Sequence, residues 1–329
     1  MKAQTISSFG DYSVFKTEEV AIPKVKTGYV LVRVKATSVN PVDCKVRSGA
    51  YGHIAPAFPA ILHGDMAGVV EEVGEGVTEF AVGDEVYGCA GGFKPESGAL
   101  AEFMLADARL IAKKPKSLDM LQAAALPLVS ITAWEALFEK VHVTFGQKVL
   151  IHAATGGVGH IAIQLAKWAG AEVYATVSSP TKSEIAKALG AKEAIDYTKE
   201  SVEDYVARLT SGKGFDVVLD TVGGDNIDKS IAAVAMYGHV ISIQAKMPHD
   251  LTPLHSRSAS FHAVFMLLPL LNNVQRERHG TILKAIATLV DNGALKPLID
   301  LHQFSLENVG EAHKLMESGK AIGKIVIEI

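Results

Sequence analysis

The sequence predicts an α/β protein with two domains, one mainly β and one built on a doubly wound parallel sheet. Three observations support this prediction. A length of 329 residues is sufficient for two domains. Short β segments separated by glycine and proline fill the chain to about residue 115. Between residues 148 and 243, β and α segments alternate, which indicates a parallel sheet covered on both faces.

The first part of the chain has the patterning of half-buried strands. Residues 29–36 alternate between apolar and polar side chains, residues 67–73 form another strand, and residues 83–87 read as a turn that leads into a third. The β character continues through residues 99–106 and 109–112. A mainly β domain follows from these segments.

The predicted secondary structure changes after residue 118 from mainly β to a mixture of helices and strands. The first helices are predicted on either side of Pro127, at residues 121–126 and 132–140. The alternating strands are then predicted at residues 148–153, 172–177, 216–221 and 239–243, and the helices at 158–169, 181–189, 201–210 and 227–236. The tail is predicted to contain helices at 280–292 and 306–318 and a strand at 323–329.

The most specific local pattern is the glycine cluster between the strand at 148–153 and the next helix. Set on the fingerprint G-x-G-x-x-G, the three positions are Ala154, Gly156 and Gly159. Gly156 allows the backbone to approach phosphates, Gly159 allows the helix to pack closely on its strand, and Ala154 is small enough for the turn. The helix N-terminus favours a pyrophosphate. The predicted dinucleotide-binding residues of this turn are Gly156, Gly157, Val158 and Gly159.

The end of the next strand bears on the choice of cofactor. Sites that select NAD carry Asp or Glu about 20 residues after the glycines. Here the strand ends in Ser178 and Ser179, and Lys182 follows. Two hydroxyls and an ammonium are suited to bind a 2′-phosphate, which favours NADP(H). In the alternative interpretation, Ser179 and Pro180 only begin a helix.

Composition narrows the class of protein. A net charge of −4 without a basic tract argues against nucleic acid or an anionic membrane as the main partner. The N-terminus lacks the apolar core of a signal peptide, and the longest apolar run, residues 261–271, is too short to cross a bilayer. Two cysteines, Cys44 and Cys89, can form neither a disulfide framework nor a four-cysteine zinc lobe. A cytoplasmic location is therefore expected.

Several segments, in order along the whole chain, resemble the medium-chain dehydrogenase/reductase superfamily and, within it, the zinc-independent NADPH:quinone oxidoreductases. They are V-N-P-V-D-C-K-V-R-S-G at 39–49, H-G-D-M-A-G-V-V-E-E-V-G at 63–74, G-D-E-V at 83–86, G-A-L-A-E-F at 98–103, residues 123–137, the glycine turn, and D-V-V-L-D-T-V-G-G at 216–224. The resemblance implies a GroES-like, mainly β catalytic domain formed by residues 1–125 and 270–329. It also implies a Rossmann NADP-binding domain formed by residues 126–269, and a possible homodimer.

The resemblance also implies that no catalytic zinc is bound. Zinc-dependent relatives have Cys at the position of Asn40 and a His–Glu pair at the positions of Gly64 and Asp65. Neither Asn40 nor Gly64 offers the sulfur or nitrogen ligand that zinc prefers, and Cys44, His63 and Asp65 stand in a different register. Alcohol oxidation is then not expected, whereas hydride addition to a quinone or an α,β-unsaturated carbonyl remains feasible.

Residues of the mainly β domain are placed near the nicotinamide by the resemblance. Asn40 and Tyr51 are the predicted catalytic residues and also contact the cofactor, and Tyr51 could polarise a carbonyl or donate a proton. Thr132 is expected to approach the nicotinamide. The alternatives are a turn at Asn40-Pro41, an ordinary loop tyrosine, and a helix N-cap at Thr132. Lys45 stands where relatives often have Tyr, and it either attracts an anionic acceptor or is solvated.

The remaining predicted cofactor contacts lie at strand ends, where open α/β sheets bind ligands. Tyr197 is expected against the adenosine phosphate, so that Ser178, Lys182 and Tyr197 hold the 2′-phosphate. The segment Val264–Phe265–Met266 resembles one that packs beside the nicotinamide carboxamide, although so apolar a run also suits a core or a subunit interface. The further contacts are Gly223, Ile243, Val264, Phe265 and Met266.

The resemblance therefore implies an enzyme, a zinc-free reductase that uses NADPH to reduce quinones by hydride or electron transfer. One alternative is NADPH-dependent reduction of the C=C bond of alkenals, enones or enoyl thioesters, for which Tyr51 is the candidate proton donor. Another is a non-catalytic NADPH-binding sensor or accessory protein.

Overall fold

The computed structural model describes every residue from Met1 to Ile329. The strands are β1 (Lys2–Thr5), β2 (Lys16–Glu19), β3 (Tyr29–Val39), β4 (Asp65–Val73), β5 (Glu85–Cys89), β6 (Phe103–Asp107), β7 (Ile111–Lys113), β8 (Lys148–Ile151), β9 (Glu172–Val177), β10 (Glu193–Asp196), β11 (Phe215–Asp220), β12 (Val234–Ser242), β13 (Ser260–Ala263), β14 (Phe304–Ser305) and β15 (Ile325–Glu328). The α-helices are α1 (Pro41–Arg47), α2 (Met120–Ala124), α3 (Pro127–Trp134), α4 (Gly157–Trp168), α5 (Pro180–Leu189), α6 (Val202–Thr210), α7 (Asn226–Ala233), α8 (Thr252–Arg257), α9 (Leu268–Asn272), α10 (Glu277–Asp291) and α11 (Val309–Glu317). Short 3₁₀ turns occupy Gly52–Ile54, Ala108–Leu110 and Leu306–Asn308, and Glu135–Lys140 is a π-helix.

The chain forms two compact units. Unit 1 contains Met1–Ile131 and Leu267–Ile329, and unit 2 contains Thr132–Met266. The first division lies after Ile131, where the family resemblance implies residue 125, and the second lies after Met266, where the resemblance implies residue 269. Helix α3 accounts for the first difference, because it begins at Pro127 and runs through the division as one segment.

Unit 1 is built on a sheet of strand order β14-β15-β3-β4-β5-β7, with β6 also paired to β3. The long strand β3 pairs antiparallel with β4, β6 and β15, so the last strand of the chain joins the sheet that the first hundred residues form. Alternate residues of β3, Val30, Val32 and Val34, are buried, as expected for a strand with one face on the core. The mainly β character predicted from the sequence is confirmed.

Unit 2 is built on a six-stranded parallel sheet of order β10-β9-β8-β11-β12-β13. The chain proceeds outwards from β8 to β10 and then returns to the other side of β8 to form β11, which is the doubly wound arrangement that the sequence predicts. In such sheets the ligand site lies beyond the carboxyl ends of the strands, where the winding reverses. A core that includes Tyr174, Tyr205 and Phe215 packs on one part of the sheet.

One predicted helix boundary and one alternative interpretation differ from the structure, and a proline is involved in both. Two helices are present as predicted, but the second begins at Pro127 rather than at residue 132: α2 ends at Ala124 and α3 starts with Pro127, where a residue without an N–H is tolerated. Asn40-Pro41 begins α1 rather than a turn, with Asn40 at the N-cap (φ −121°, ψ 153°) and Pro41 as the first helical residue. In both cases the proline marks a helix start, which a turn signal alone does not distinguish.

Other differences concern strands. The predicted helix at 227–236 ends at Ala233, and β12 begins at Val234 with an irregular register opposite Phe215. Strands β10 and β13 were not predicted, because each is only four residues long and lies at an edge of the sheet. No helix of the chain combines the length and apolar character that crossing a membrane would require.

Candidate functional site

The turn between β8 and α4 is compact. Gly156 is the N-cap of α4 (φ −79°, ψ 175°), and a Cβ there would have one close neighbour, the Ala153 carbonyl oxygen at 3.2 Å. A Cβ on Gly159 would lie only 2.3 Å from that oxygen, so the helix packs directly on the turn. The first amides of a helix have no acceptor within it. The backbone of Gly156, which carries no side chain, and the amides of Gly157, Val158 and Gly159 thus suit a phosphate group.

A second cluster forms where β9 and β10 end side by side. Asp196 pairs with Val177 in the parallel ladder, so the next residues, Ser178 and Tyr197, emerge together, and the Tyr197 amide donates to the Val177 carbonyl at 3.2 Å. Lys182 Nζ donates a hydrogen bond to Ser178 Oγ at 3.4 Å. The structure therefore brings together Ser178, Lys182 and Tyr197, and Tyr197 is 53% exposed and accessible to a ligand.

Local contacts explain the charge of this cluster. Ser179 is the N-cap of α5 and accepts from the Lys182 amide at 3.3 Å, which confirms the interpretation that it begins a helix. The one carboxylate of the neighbouring strand end, Asp196, accepts from the Thr198 hydroxyl and pairs with Lys199 at 3.1 Å. The negative charge of Asp196 is neutralised within its own loop, and the Lys182 ammonium lies beside the Ser178 hydroxyl.

The loop after β11 is organised by a buried carboxylate that sequence reasoning missed. Asp220 accepts from the amides of Val222 (2.8 Å) and Gly223 (2.7 Å) and from the Ser230 hydroxyl (2.9 Å). Gly223 has φ 77°, and a Cβ on it would lie 2.6 Å from the Gln244 carbonyl oxygen. Gly223 is thus held against the loop that follows β12. The available signal was an acidic residue at the end of an otherwise apolar strand.

The predicted contacts at the next two strand ends are only partly accessible. The Ile243 amide donates to the Asp220 carbonyl at 3.3 Å, which fixes the start of its loop. Val264 and Met266 are buried, at 4% and 5% exposure, so their side chains belong to the core, whereas Phe265 is 45% exposed. Of this segment, the Phe265 ring is the side chain available to a ligand or a partner.

In unit 1, Asn40 belongs to a buried polar network. Asn40 Nδ2 donates to Asp65 Oδ2 at 2.8 Å, and Lys324 Nζ donates to Asn40 Oδ1 at 2.5 Å and lies 3.3 Å from Asp65 Oδ2. All three side chains are almost completely buried. The hydroxyl of Ser38 and the amide of Leu128 also donate to Asp65 at 2.8 Å. The ion pair is tolerated because every charge is paired and hydrogen-bonded.

This network bears on the question of zinc. The Asn40 oxygen already accepts from an ammonium group, and Gly64 has no side chain; a Cβ there would lie 2.8 Å from Cys89 Sγ. The Asp65 carboxylate is neutralised by Lys324. No group of three or more His, Cys, Asp and Glu side chains is arranged to hold a metal ion. The residues at these positions do not fit a catalytic zinc ion.

Cys44 and His63 lie in a second buried chain of hydrogen bonds. Thr37 Oγ1 donates to the Asp65 carbonyl at 2.5 Å and therefore accepts from His63 Nδ1 at 3.3 Å, since a hydroxyl has one proton. His63 Nε2 must then accept from His313 Nε2 at 2.8 Å, and His313 Nδ1 accepts from the Cys44 thiol at 3.3 Å. Burial lowers the pKa of His63 to about 3 and raises the pKa of Cys44. Both groups are neutral and structural.

Tyr51 lies just beyond the C-terminal end of α1, where its amide donates to the Lys45 carbonyl at 2.9 Å. Lys45 Nζ lies 5.2 Å from the centroid of the Tyr51 ring, in the range of a cation–π contact. Asn40 lies at the opposite end of the same helix, about 10 Å away along the axis of a seven-residue helix. The two residues predicted to be catalytic therefore lie beyond opposite ends of one helix.

Thr132 is the first residue of unit 2 and is buried, with 4% exposure. It lies inside α3, five residues after the helix begins at Pro127, so the N-cap interpretation is wrong. The helix starts earlier than the hydrophobic pattern alone suggests, because Pro127 and the residues after it are themselves helical.

Comparisons with known proteins agree with this arrangement. Residues 26–116 match the alcohol dehydrogenase GroES-like domain, and residues 189–327 match the zinc-binding dehydrogenase family. The chain is 37% identical to the 2-methylene-furan-3-one reductase of Solanum lycopersicum over 99% of its own length and 79% of that protein.

Solved structures resemble the whole chain. An alcohol dehydrogenase superfamily protein from Novosphingobium aromaticivorans is 40% identical, with a TM-score of 0.95 and complete coverage of both chains. The quinone oxidoreductase of Escherichia coli, solved in complex with NADPH, is 26% identical, with a TM-score of 0.89 and complete coverage of both chains. The chain therefore belongs to the medium-chain dehydrogenase/reductase superfamily as an oxidoreductase, and it fits the zinc-independent quinone oxidoreductase type.

Proposed function

We propose that the protein is an NADPH-dependent reductase of quinones. The observation that carries the proposal is the cluster of Ser178, Lys182 and Tyr197 beyond β9 and β10, in the same sheet as the glycine turn. A cation and hydroxyl groups without a free carboxylate suit the 2′-phosphate that distinguishes NADPH from NADH. The E. coli quinone oxidoreductase in complex with NADPH, similar over the whole chain, supports the same cofactor.

The residues of unit 2 fit this cofactor. The amides at the start of α4 would hold the pyrophosphate, and the open face of Gly156 leaves room for it. Lys182 and Tyr197 would hold the 2′-phosphate. The loops at Gly223 and Ile243, fixed by Asp220, would border the remainder of the cofactor. When bound, NADPH supplies a hydride from its nicotinamide ring.

The residues of unit 1 would act on the acceptor. The Asn40 oxygen accepts a hydrogen bond from Lys324, and Asp65 accepts one from the first N–H of Asn40 Nδ2. The second N–H of Nδ2 is therefore the donor that Asn40 can offer. Tyr51 carries a hydroxyl on a ring whose centroid lies 5.2 Å from the Lys45 ammonium. The Asn40 N–H would stabilise the oxygen on which negative charge develops as a quinone is reduced. Quinone, NADPH and one proton give hydroquinone and NADP⁺, and the proton comes from solvent.

A second candidate is reduction of the C=C bond of a conjugated ketone. It is favoured by the similarity to the tomato 2-methylene-furan-3-one reductase, whose name describes an α,β-unsaturated ketone substrate. This reaction needs a proton at the α-carbon after hydride addition to the β-carbon. Tyr51 is the hydroxyl that we assign to this step, with Lys45 near its ring.

The test is NADPH oxidation followed by absorbance with 1,4-benzoquinone, a naphthoquinone, an alkenal, and a primary alcohol with NADP⁺. Each assay is repeated with NAD(H) and with a chelator. We expect quinone turnover that prefers NADPH and is unaffected by the chelator. Chelator-sensitive alcohol oxidation would contradict the proposal, and tight NADPH binding without turnover of any acceptor would indicate a sensor.

The Tyr51→Phe variant separates the two candidates. If the C=C reaction uses the Tyr51 hydroxyl, the variant loses at least tenfold in kcat with the alkenal and keeps its quinone turnover. Equal losses with both acceptors would show that Tyr51 only shapes the binding site.

A further inference from the structure

Thr176, on β9, binds the glycine turn through both its side chain and its main chain. Its hydroxyl oxygen accepts from the Ala153 amide at 3.2 Å, and its carbonyl accepts from the Ala154 amide at 3.1 Å. The same hydroxyl lies 3.2 Å from His152 Nδ1. Thr176 is only 3% exposed, so these hydrogen bonds are shielded from water. One residue of a neighbouring strand thus contacts three consecutive residues after β8.

Ala153 needs such support. Its φ of 53° lies in the left-handed region, which is unfavourable for any residue with a Cβ. Its carbonyl accepts from the Gly156 amide at 3.0 Å and is the atom on which Gly159 packs. The conformation of Ala153 therefore sets the position at which α4 begins.

The turn is also held from the other side of β8. The Thr221 hydroxyl, just after β11, donates to the His152 carbonyl at 2.7 Å. Burial lowers the pKa of His152 to about 4, so its ring is neutral at neutral pH and can hydrogen-bond with the Thr176 hydroxyl without introducing a charge. The two strands that flank β8 fix the residue pair His152–Ala153 between them.

We propose that Thr176 is a positioning residue for cofactor binding, which holds Ala153 in its left-handed conformation and thereby aligns the amides of the glycine turn. This inference rests on the proposed binding of NADPH at that turn. It assigns to Thr176 no contact with the cofactor. Its effect should be on cofactor affinity, because a turn that is not fixed in advance must be ordered when the ligand binds.

The test is the Kd of NADPH, measured by fluorescence titration of the full chain, for three substitutions. Thr176→Val keeps the shape but removes the hydroxyl, and we expect roughly tenfold weaker binding, the usual effect of one lost hydrogen bond. Thr176→Ser should stay within about twofold of the unsubstituted protein. Thr210→Val is the matched control, because the Thr210 hydroxyl also accepts from a backbone amide, that of Gly214, at 2.8 Å, at the end of α6. It should lower the melting temperature without changing the Kd.

A second substitution tests the role of the left-handed residue. Glycine adopts positive φ without steric cost, so Ala153→Gly in the Thr176→Val background should recover at least about threefold of the lost affinity. A lost contact with the ligand, or general loosening of the fold, would not be recovered in this way. Thr176→Ala serves in place of Thr176→Val if the latter does not fold, with the same expectation.

The outcomes are distinguishable from those of the proposed function. If the unsubstituted protein does not bind NADPH, the proposed function is wrong. If it binds NADPH, and Thr176→Val and Thr176→Ala bind within twofold of it, the positioning role is wrong. The same conclusion follows if Ala153→Gly fails to recover any affinity.

Discussion

Substitution of the last glycine of the turn, Gly159→Ala, separates the packing of the turn from its use as a binding site. A Cβ at this position would lie 2.3 Å from the Ala153 carbonyl oxygen, and 3.0 and 3.2 Å from the carbonyl carbons of Ala153 and Ala154. All three are backbone atoms, so no side chain can rotate away. Ordinary contacts begin at 3.4 Å, and the start of α4 must therefore move by about 1 Å.

The size of the effect follows from that displacement. Overpacking typically costs about 1–3 kcal/mol, and a clash with backbone atoms belongs near the upper end, about 3 kcal/mol. For a chain of 329 residues, with an unfolding entropy of about 2.1 cal/mol/K per residue, that loss lowers the melting temperature by roughly 4 °C. A displacement of about 1 Å of the amides should also weaken NADPH binding on the order of 100-fold.

Gly156→Ala is the informative comparison. Its φ of −79° is accessible to alanine, and its Cβ would meet only the Ala153 carbonyl oxygen at 3.2 Å, so the melting temperature should change by less than about 2 °C. A phosphate against Gly156 would nevertheless collide with the new methyl group. Calorimetric melting and NADPH titration of both variants test the argument. It is refuted if Gly159→Ala melts within about 2 °C of the unsubstituted protein, or if Gly156→Ala binds NADPH unchanged.

Three further predictions address cofactor choice, the buried ion pair and pH. Lys182→Met should raise the KM for NADPH by roughly 10–100-fold and leave the KM for NADH unchanged, since a charge-assisted bond contributes about 1.5–3 kcal/mol; equal effects on both cofactors, in steady-state assays, would contradict the assignment. Lys324→Met should cost about 3–5 kcal/mol in urea unfolding because it leaves Asp65 buried without its counter-ion. Adding Asp65→Asn should recover part of that loss, and simple addition of the two losses would show that the pair is not coupled. Burial lowers the pKa of His63 to about 3 and of His152 to about 4, and lowers the pKa of His313 as well, whereas it raises the pKa of Asp43 to about 7. The neutral histidines contribute fully to the free energy of unfolding above pH 6.5, and this contribution is lost as the pH falls. Asp43 acts in the opposite direction, because between pH 7 and 4 its contribution to stability grows as the pH falls. Unfolding between pH 5.5 and 4.5 should therefore take up about two protons, and urea unfolding should show stability falling by roughly 2.5 kcal/mol per pH unit; constant or rising stability on acidification would contradict this balance.

The parts of the site that the sequence predicts are those made within one short segment. The turn from Gly156 to Gly159 needs only a strand, a tight turn and a helix, and these follow from eleven consecutive residues. Ser178 and Lys182 are four residues apart at a helix start, where side chains come close without help from the rest of the fold. Such features depend on local sterics and hydrogen bonding, which the residues themselves specify.

The positions that sequence reasoning missed or assigned differently depend on partners that are distant along the chain. Thr176 is a polar residue in an apolar strand, and its acceptor role towards Ala153 arises only when β9 lies beside β8. The contact of Asn40 with a ligand stays a prediction, but its hydrogen bonds with Asp65 and Lys324 were not foreseen from the sequence. The pattern around Asn40 gives no sign of a lysine 284 residues away.

The sequence by itself determined the superfamily resemblance, the doubly wound sheet and the glycine turn, because each is specified by local periodicity or by short motifs. The tertiary structure decided which residues lie together: Tyr197 follows a strand end beside that of Ser178, the Thr176 hydroxyl accepts from the Ala153 amide, and Lys324 pairs with Asp65. Each of these contacts depends on strand order and register, and a shift of one residue turns a side chain to the opposite face of the sheet. Pairing between distant strands involves the folded chain as a whole. The contacts that such pairing creates at the site therefore cannot be read from any single segment of the sequence.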